Sequence, residues 1–319
     1  MGGLINNDLL ASAFVQTQDT KGIVAKPFIK WAGGKGNLLQ KLDDLLPTNF
    51  DDLRDVTYIE PFVGGGAMLF HMLQHHKCIR KAVINDINPD LIQCYKLIAN
   101  SPQTLIERLR FIEKNYYSVD FPSRKELYYA YRDMYNRGDV DSDERAALLI
   151  FLNHTCYNGL YRVNNSGKFN VPYGRYKQPI ICNEELIMAD HYLLNSVKLI
   201  IRDPGDYKMV SHNLSRNNLN FVYFDPPYRP LGGTSSFKEY SNSPFGDKQQ
   251  EELKDFCDKL SGMNCLFMLS NSDSKNSNGE SYFEDLYHGY NVERILAPRY
   301  INSNGEKREK LTEVVIKNY

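Results

Sequence analysis

The chain has 319 residues, 42% of them hydrophobic and 24% charged. That balance excludes wholesale disorder and fits one large domain or two modest ones. Lysine plus arginine (38) nearly equals aspartate plus glutamate (39), for a formal net charge of -1, which excludes a uniformly basic, histone-like protein but not a local basic patch.

Residues 1–24 show no sustained period and read as a flexible tail. They lack the basic start and apolar stretch of a signal peptide. The six cysteines form no C-x-x-C pair and read as buried thiols of a reduced, cytoplasmic protein. Next comes Lys30-Trp-Ala-Gly-Gly-Lys35, then helical spacing over residues 38–46 that stops at Pro47. A P-loop needs G-x-x-x-x-G-K-[ST], whereas Ile29 stands at the first glycine position and Gly36 follows Lys35, so nucleotide hydrolysis is rejected. Trp31, the single tryptophan, reads equally as core or as a wall of a cofactor pocket.

Residues 57–62 read as a strand that runs into Val63-Gly-Gly-Gly66; residues 67–75 have helical spacing, and residues 82–86 form a second strand ending in Asp86. Strand, glycine turn, helix, strand is a βαβ unit, so a parallel sheet is expected with its ligand at the carboxyl ends of the strands. The glycine turn lets backbone approach a ligand closely, and an acid at position 86 can accept from ribose hydroxyls. Leu69 breaks the G-x-G-x-x-G fingerprint, which makes a nicotinamide cofactor less favoured.

The following stretch is helical. Ser101 with Pro102 opens one helix, Ser123 with Glu126 forms a capping box for a second that Gly138 ends, and Ser142 with Asp143 and Glu144 opens a third ending near His154. These helices predict a second domain inserted into the α/β fold. Their apolar run, residues 146–152, falls short of the ~20 residues that cross a bilayer, and no membrane association is expected. Residues 154–177 hold Arg162, Lys168, Arg175 and Lys177 without one acid, interleaved with Tyr157, Tyr161, Phe169, Tyr173 and Tyr176. A turn at residues 165–167 predicts a projecting β-hairpin. Its cations suit phosphates, an arginine can read guanine, and an aromatic wedge can enter a base step. The competing reading is a solvated basic loop packed on tyrosines.

After residue 180 the α/β pattern returns. Strands are expected over residues 221–225 and 265–270, a helix over 247–260, and a closing antiparallel pair over 291–296 and 311–317, with polar loops at 231–245 and 270–280. The sharpest signal is Asp225-Pro226-Pro227-Tyr228 at the end of the apolar strand. Two prolines fix two φ angles and remove two donors, leaving a stiff corner of carboxylate, carbonyls and one aromatic ring. The Asp225 carboxylate and the Pro226 carbonyl can each accept a hydrogen from an exocyclic amine while Tyr228 stacks on its ring. Acceptors out of the ring plane localise the nitrogen lone pair, which makes the amine a nucleophile. The competing reading is a proline turn with a helix-capping aspartate.

These segments, with Asn85-Asp-Ile-Asn88, Tyr157-Asn-Gly-Leu-Tyr-Arg162 and Phe169-Asn-Val-Pro-Tyr-Gly-Arg-Tyr176, resemble in content and order the Dam-family DNA adenine N6-methyltransferases. The likeness runs from residue 27 to 319, includes the GATC methylases of restriction–modification systems, and has the motif order of the α class of amino-methyltransferases. It implies a Rossmann-like α/β fold with a mixed, mainly parallel sheet, a discontinuous catalytic domain (residues 25–88 and 183–319), and a helical target-recognition domain bearing a β-hairpin (residues 89–182). It implies S-adenosyl-L-methionine held by Trp31, Lys35, Phe62, Gly64, Gly66, Asp86 and Asp225, and a flipped adenine held by Asp225, Pro226 and Tyr228. On double-stranded DNA it implies contacts from Lys30, Tyr157, Asn158, Leu160, Arg162 and Pro172. A monomer is expected, sharing its site with a cognate restriction endonuclease without a stable complex. No metal is expected, and the seven histidines are not read as a ligand set. The alternatives kept open are an amino-methyltransferase acting on cytosine N4, an RNA adenine or a protein glutamine, and a catalytically silent sequence-specific DNA-binding protein.

Overall fold

The computed structural model describes residues 22–31, 33–231, 245–263, 265–276, 278–297 and 311–319. The expectations for the tail up to residue 21 and for the loop over residues 232–244 lie outside the described residues.

Seven strands form one sheet: β1 (Val56–Glu60), β2 (Ile79–Ile84), β3 (Lys198–Ile201), β4 (Asn220–Phe224), β5 (Cys265–Ser272), β6 (Asn291–Ala297) and β7 (Leu311–Lys317). Their order is β3-β2-β1-β4-β5-β7-β6. The first five are mutually parallel, and β7 runs antiparallel to both β5 and β6. The expected mixed, mainly parallel sheet is therefore present. All five residues of β1 and of β4 are buried, as strands covered on both faces require. Successive strands are added on one side of β1 up to β3 and on the other from β4, and such a switch point opens a crevice at the carboxyl ends of β1 and β4.

Helices cover both faces. On one side lie α1 (Leu39–Asp43), α2 (Ala67–His75), α3 (Pro89–Asn100), α4 (Pro102–Ser118), α5 (Arg124–Arg137), α6 (Ser142–Thr155) and α7 (Glu184–Leu194), sharing one core with the sheet. On the other, α8 (Asp247–Ser261) and α9 (Tyr282–Leu286) pack through Leu253, Phe256, Leu260 and Phe283 against Val222, Phe224 and Phe267. The apolar run 146–152 lies inside α6, where residues 146–153 are all buried; a helix apolar all round is one enclosed by its neighbours. No helix among the described residues is long and apolar enough to cross a membrane.

Several local expectations shift. Ser123 is itself helical (φ -70°, ψ -17°) and its hydroxyl caps nothing; Asp120 accepts the Ser123 N–H at 3.1 Å instead. The cap of α6 is Asp141, one residue before Ser142, accepting the Glu144 N–H at 2.7 Å. Ser101 precedes α4 without a side-chain cap bond, leaving Pro102 to start it. The helix expected over 38–46 shortens to α1 because Leu45 and Leu46 bond three residues back, to Leu42 and Asp43, which tightens the last turn. Strand β2 stops at Ile84, two residues before Asp86, where the Asn85 carbonyl turns to take the Val63 N–H at 2.9 Å. The elements α7 and β3 were not foreseen. Strand β3 is only four residues long and keeps no fully buried position, so it carries no period. The hairpin is irregular: two isolated antiparallel bridges, Cys156 with Tyr173 and Val163 with Phe169, flank a turn in which Asn164 Oδ1 accepts from Ser166 and Lys168 N–H, both at 3.0 Å.

Candidate active site

At the end of β4 the Asp225 carboxylate meets two donor groups through three contacts. Lys35 Nζ lies 2.7 Å from Oδ1 and 2.8 Å from Oδ2, and Ser270 Oγ on β5 donates to Oδ1 at 3.1 Å. The lysine is only 4% exposed and also donates to the Gly33 carbonyl at 2.9 Å. Its ammonium sits 4.5 Å from the centre of the Tyr228 ring. The Tyr228 hydroxyl donates to Glu313 Oε2 on β7 at 2.7 Å. Burial raises the Tyr228 pKa well above the phenolic range, with the Asp225 charge adding to it, so the tyrosine stays a neutral donor. Glu60, at the end of β1, is buried and accepts from the Tyr58 hydroxyl at 2.7 Å. Burial pushes its carboxyl well above the usual range, the neighbouring Asp225 pushes the same way, and Lys35 opposes.

The proline corner is pinned on both sides. The Pro227 carbonyl accepts from Gln250 Nε2 of α8 at 3.1 Å, and the Arg229 N–H donates to Asn271 Oδ1 of β5 at 3.1 Å. The Arg229 guanidinium reaches both Asp247 oxygens (2.8 and 3.2 Å) and stacks 4.1 Å over Tyr282. Pro226 is buried.

Across the crevice, Gly64 N–H donates to Asp86 Oδ2 at 3.0 Å while Asn88 N–H holds Oδ1 at 3.0 Å. Burial raises the Asp86 carboxyl, and these backbone donors oppose it. Gly64 and Gly66 have positive φ (50° and 77°). A Cβ at Gly64 would stand 2.8 Å from Trp31 Cδ1, and one at Gly66 2.5 Å from the Tyr95 hydroxyl, so side chains are excluded there on two counts. Trp31 is half-buried between the glycine turn and Tyr161, on which it stacks at 5.0 Å. Phe62 faces the other way, toward Tyr207 (5.1 Å) and Phe245 (5.7 Å).

The structure thus brings Lys35, Asp225 and Tyr228 into direct contact, and joins Gly64 to Asp86 and Trp31. Ser270 and Glu313 were missed, whereas Glu60 and Tyr161 lie in segments the sequence singled out but were given no place at this site. A serine ending an apolar strand was a signal available for Ser270. Glu313 could be found only from sheet topology, which pairs it with Ser272.

The basic segment splits in two. Tyr157 (54% exposed), Asn158, Leu160, Arg162 and Pro172 lie on the surface, but Phe169 and Tyr173 are core residues, and Tyr173 shares a 2.8 Å hydroxyl contact with Tyr116. The aromatic wedge that the segment was read to offer is therefore left to its other tyrosines, since Phe169 and Tyr173, bridged to Val163 and Cys156, are buried. Asn158 adopts φ 56°, and its N–H donates to the Tyr176 hydroxyl at 3.0 Å. Arg162 Nε donates to Asn170 Oδ1 at 2.7 Å. Lys30 is exposed, yet its peptide is gripped by buried Asn153: Oδ1 accepts Lys30 N–H at 2.9 Å, and Nδ2 donates to the carbonyls of Lys30 and Gly159, both at 2.8 Å. One side chain thereby ties the Lys30–Lys35 segment to the turn that presents Tyr157 and Asn158.

A family model described as D12 class N6 adenine-specific DNA methyltransferase matches residues 31–301. The chain is 45% identical to the Type II methyltransferase M.MjaIII of Methanocaldococcus jannaschii over 297 residues, covering 92% of this chain and 99% of that one. It is 36% identical to the Type II methyltransferase M1.LlaDCHI of Lactococcus lactis subsp. cremoris (92% and 95% covered). It is 30% identical to the DNA adenine methylase of Haemophilus influenzae (91% and 92% covered).

Proposed function

Because the chain belongs to the D12 class of N6 adenine-specific DNA methyltransferases, we propose that it moves the methyl group of S-adenosyl-L-methionine to N6 of an adenine flipped out of duplex DNA, within GATC. The observation that carries this reading is the Asp225 corner, built at the sheet's switch point and facing a glycine turn with its own oriented acid.

An ionised carboxylate offers about four lone-pair sites. Lys35 and Ser270 occupy three at Asp225 and fix its plane, which leaves room for one hydrogen of the adenine amine. The Pro226 carbonyl takes the other, and Tyr228, its hydroxyl anchored on Glu313, offers its ring to the base. These acceptors draw the amine toward tetrahedral geometry, and the site supplies that polarity without reorganising. Asp225 then receives the hydrogen that the nitrogen gives up. When bound, S-adenosylmethionine supplies a methyl carbon on a positively charged sulfur, already activated for in-line capture. The cradle fits it: the side-chain-free Gly64–Gly66 backbone, Trp31 beside it, Asp86 for ribose hydroxyls and Phe62 at the far wall.

We assign residues 25–88 and 183–319 to catalysis and 89–182 to target recognition, with Lys30, Tyr157, Asn158, Leu160, Arg162 and Pro172 as the DNA face. GATC rests on the likeness of Tyr157-Asn-Gly-Leu-Tyr-Arg162 and its neighbours to GATC methylases. A cytoplasmic monomer sharing its site with a restriction endonuclease, without a stable complex, completes the proposal. Asp225→Ala tests it: methyl transfer is expected to vanish while duplex binding stays nearly intact, and retained turnover would refute the assigned role.

A further inference from the structure

A second cluster lies apart from the crevice, on the outer half of α2 and its C-cap, where His71 and His76 stand about 7 and about 15 Å of helix rise beyond Gly66. His71 and His75 stand four apart on α2, and His76 follows as its C-cap. The His71 Nε2 is 2.6 Å from Asp43 Oδ1 at the end of α1, and the His76 Nε2 is 2.8 Å from that same oxygen. The other ring nitrogen of His76, Nδ1, is 2.8 Å from Asp51 Oδ1, in the short turn Phe50–Asp52. His71 and His76 are 11% and 5% exposed at their side chains, Asp43 23%. The three inward atoms, one from each of Asp43, His71 and His76, lie within 4.8 Å of one another.

Two imidazole nitrogens converge on one carboxylate oxygen, and a second carboxylate faces the far nitrogen of His76. A cation among the three inward atoms fits that convergence. Each Nε2 lone pair becomes a ligand, and the His76 Nδ1–H is left to donate to Asp51, the outer carboxylate that orients metal-bound histidines.

We propose that Asp43, His71 and His76 form a divalent transition-metal site, of the zinc and cobalt class, with Asp51 as its outer-shell carboxylate. Two imidazoles and one carboxylate are the donor set of such ions; magnesium and calcium prefer oxygen throughout. Ligand distances of about 2.0–2.2 Å to the ion require the N···O contacts to open by a fraction of an ångström, within reach of side-chain rotation. Water completes a tetrahedron. The site joins three pieces distant in sequence, namely α1, the turn at Phe50–Asp52 and the end of α2. Because α1 follows directly from Lys35, whose carbonyl accepts the Leu38 N–H at 2.7 Å, the ion fastens the segment that carries Lys35. This expected metal is separate from methyl transfer, so the sequence reading that the histidines form no ligand set is the point it revises.

The test uses the full chain stripped by a chelator. Cobalt(II) is expected to bind one equivalent with the visible absorption of a tetrahedral nitrogen and oxygen site, to be displaced by zinc and to be unaffected by magnesium. Zinc-edge absorption of the native chain is expected to show two imidazoles. Asp43→Asn and His71→Gln should each remove saturable binding, and Asp51→Asn should weaken it about 10- to 100-fold. His212→Gln, outside the cluster, should leave it unchanged. No saturable cobalt or zinc binding, a spectrum without imidazole ligands, or binding that survives the two ligand variants overturns the proposal. The spectra of the unmutated chain decide the matter even if a variant fails to fold.

Discussion

Ser270 shows how far the chemistry at Asp225 depends on a neighbour rather than on the motif itself. Among the described residues its hydroxyl is the one neutral donor on that carboxylate, at 3.1 Å, and it also meets the Tyr223 hydroxyl at 3.0 Å. A hydrogen bond to a charged group is worth about 1.5–3 kcal/mol, so Ser270→Ala is expected to slow the methyl-transfer step about 10- to 100-fold. Single-turnover kinetics measure this, and an unchanged rate would remove Ser270 from the positioning set. On the DNA face, Arg162→Ala is expected to weaken or relax site selection by ~1–3 kcal/mol if the arginine leaves Asn170 to read a guanine. Binding and turnover on duplexes substituted at each position of the site would show it, and an unaltered preference everywhere would count against that role. Asp225, Lys35, Tyr228 and the glycines were legible in sequence because each sits in a short motif. Ser270 and Glu313 were not, because only the β4–β5 and β5–β7 pairings bring them to Asp225.

Among the elements, α7 helps to place the amino-terminal segment. Asp190, fully buried on α7, accepts the Lys26 N–H at 3.0 Å. Burial pushes its carboxyl up to about 8 from an ordinary value of 3.8, with the Lys26 bond and charge opposing. The native state therefore keeps a proton that the unfolded chain loses first. Stability falls as pH rises from about 4 to about 8, then levels off. Asp190→Asn is expected to abolish that slope and to be the more stable protein at the upper end, as urea unfolding across the range would reveal; a slope identical to that of the unmutated chain would contradict it. Helix α2 was readable from its apolar spacing and α5 and α6 from capping signals, but the side-chain caps of α5 and α6 lie three and one residues before the serines that were read. Asp120 and Asp141 win because an ionised side chain before the first turn reaches the free N–H groups better than the serine that follows. Helix α7 and strand β3 escaped notice, since a half-buried four-residue strand gives no alternation to detect.

For the molecule as a whole, one sheet does two jobs. Its switch point sets the Asp225 corner against the glycine turn, and the helices between β2 and β3 carry the exposed basic surface on the same side as Lys30, through the Asn153 clamp. The sequence order of the motifs already implied this layout, but not that a buried asparagine helps to couple the two parts. The account stands or falls on where a transferred carbon ends up. The decisive measurement is incubation of the protein with methyl-labelled S-adenosylmethionine and duplexes carrying GATC, GATATC, a scrambled site or cytosine as the sole amine, followed by mass identification of the labelled base. The account predicts N6-methyladenine, confined to the GATC duplex. Label on cytosine or spread over every duplex, or no label with fresh donor and duplex, would contradict it.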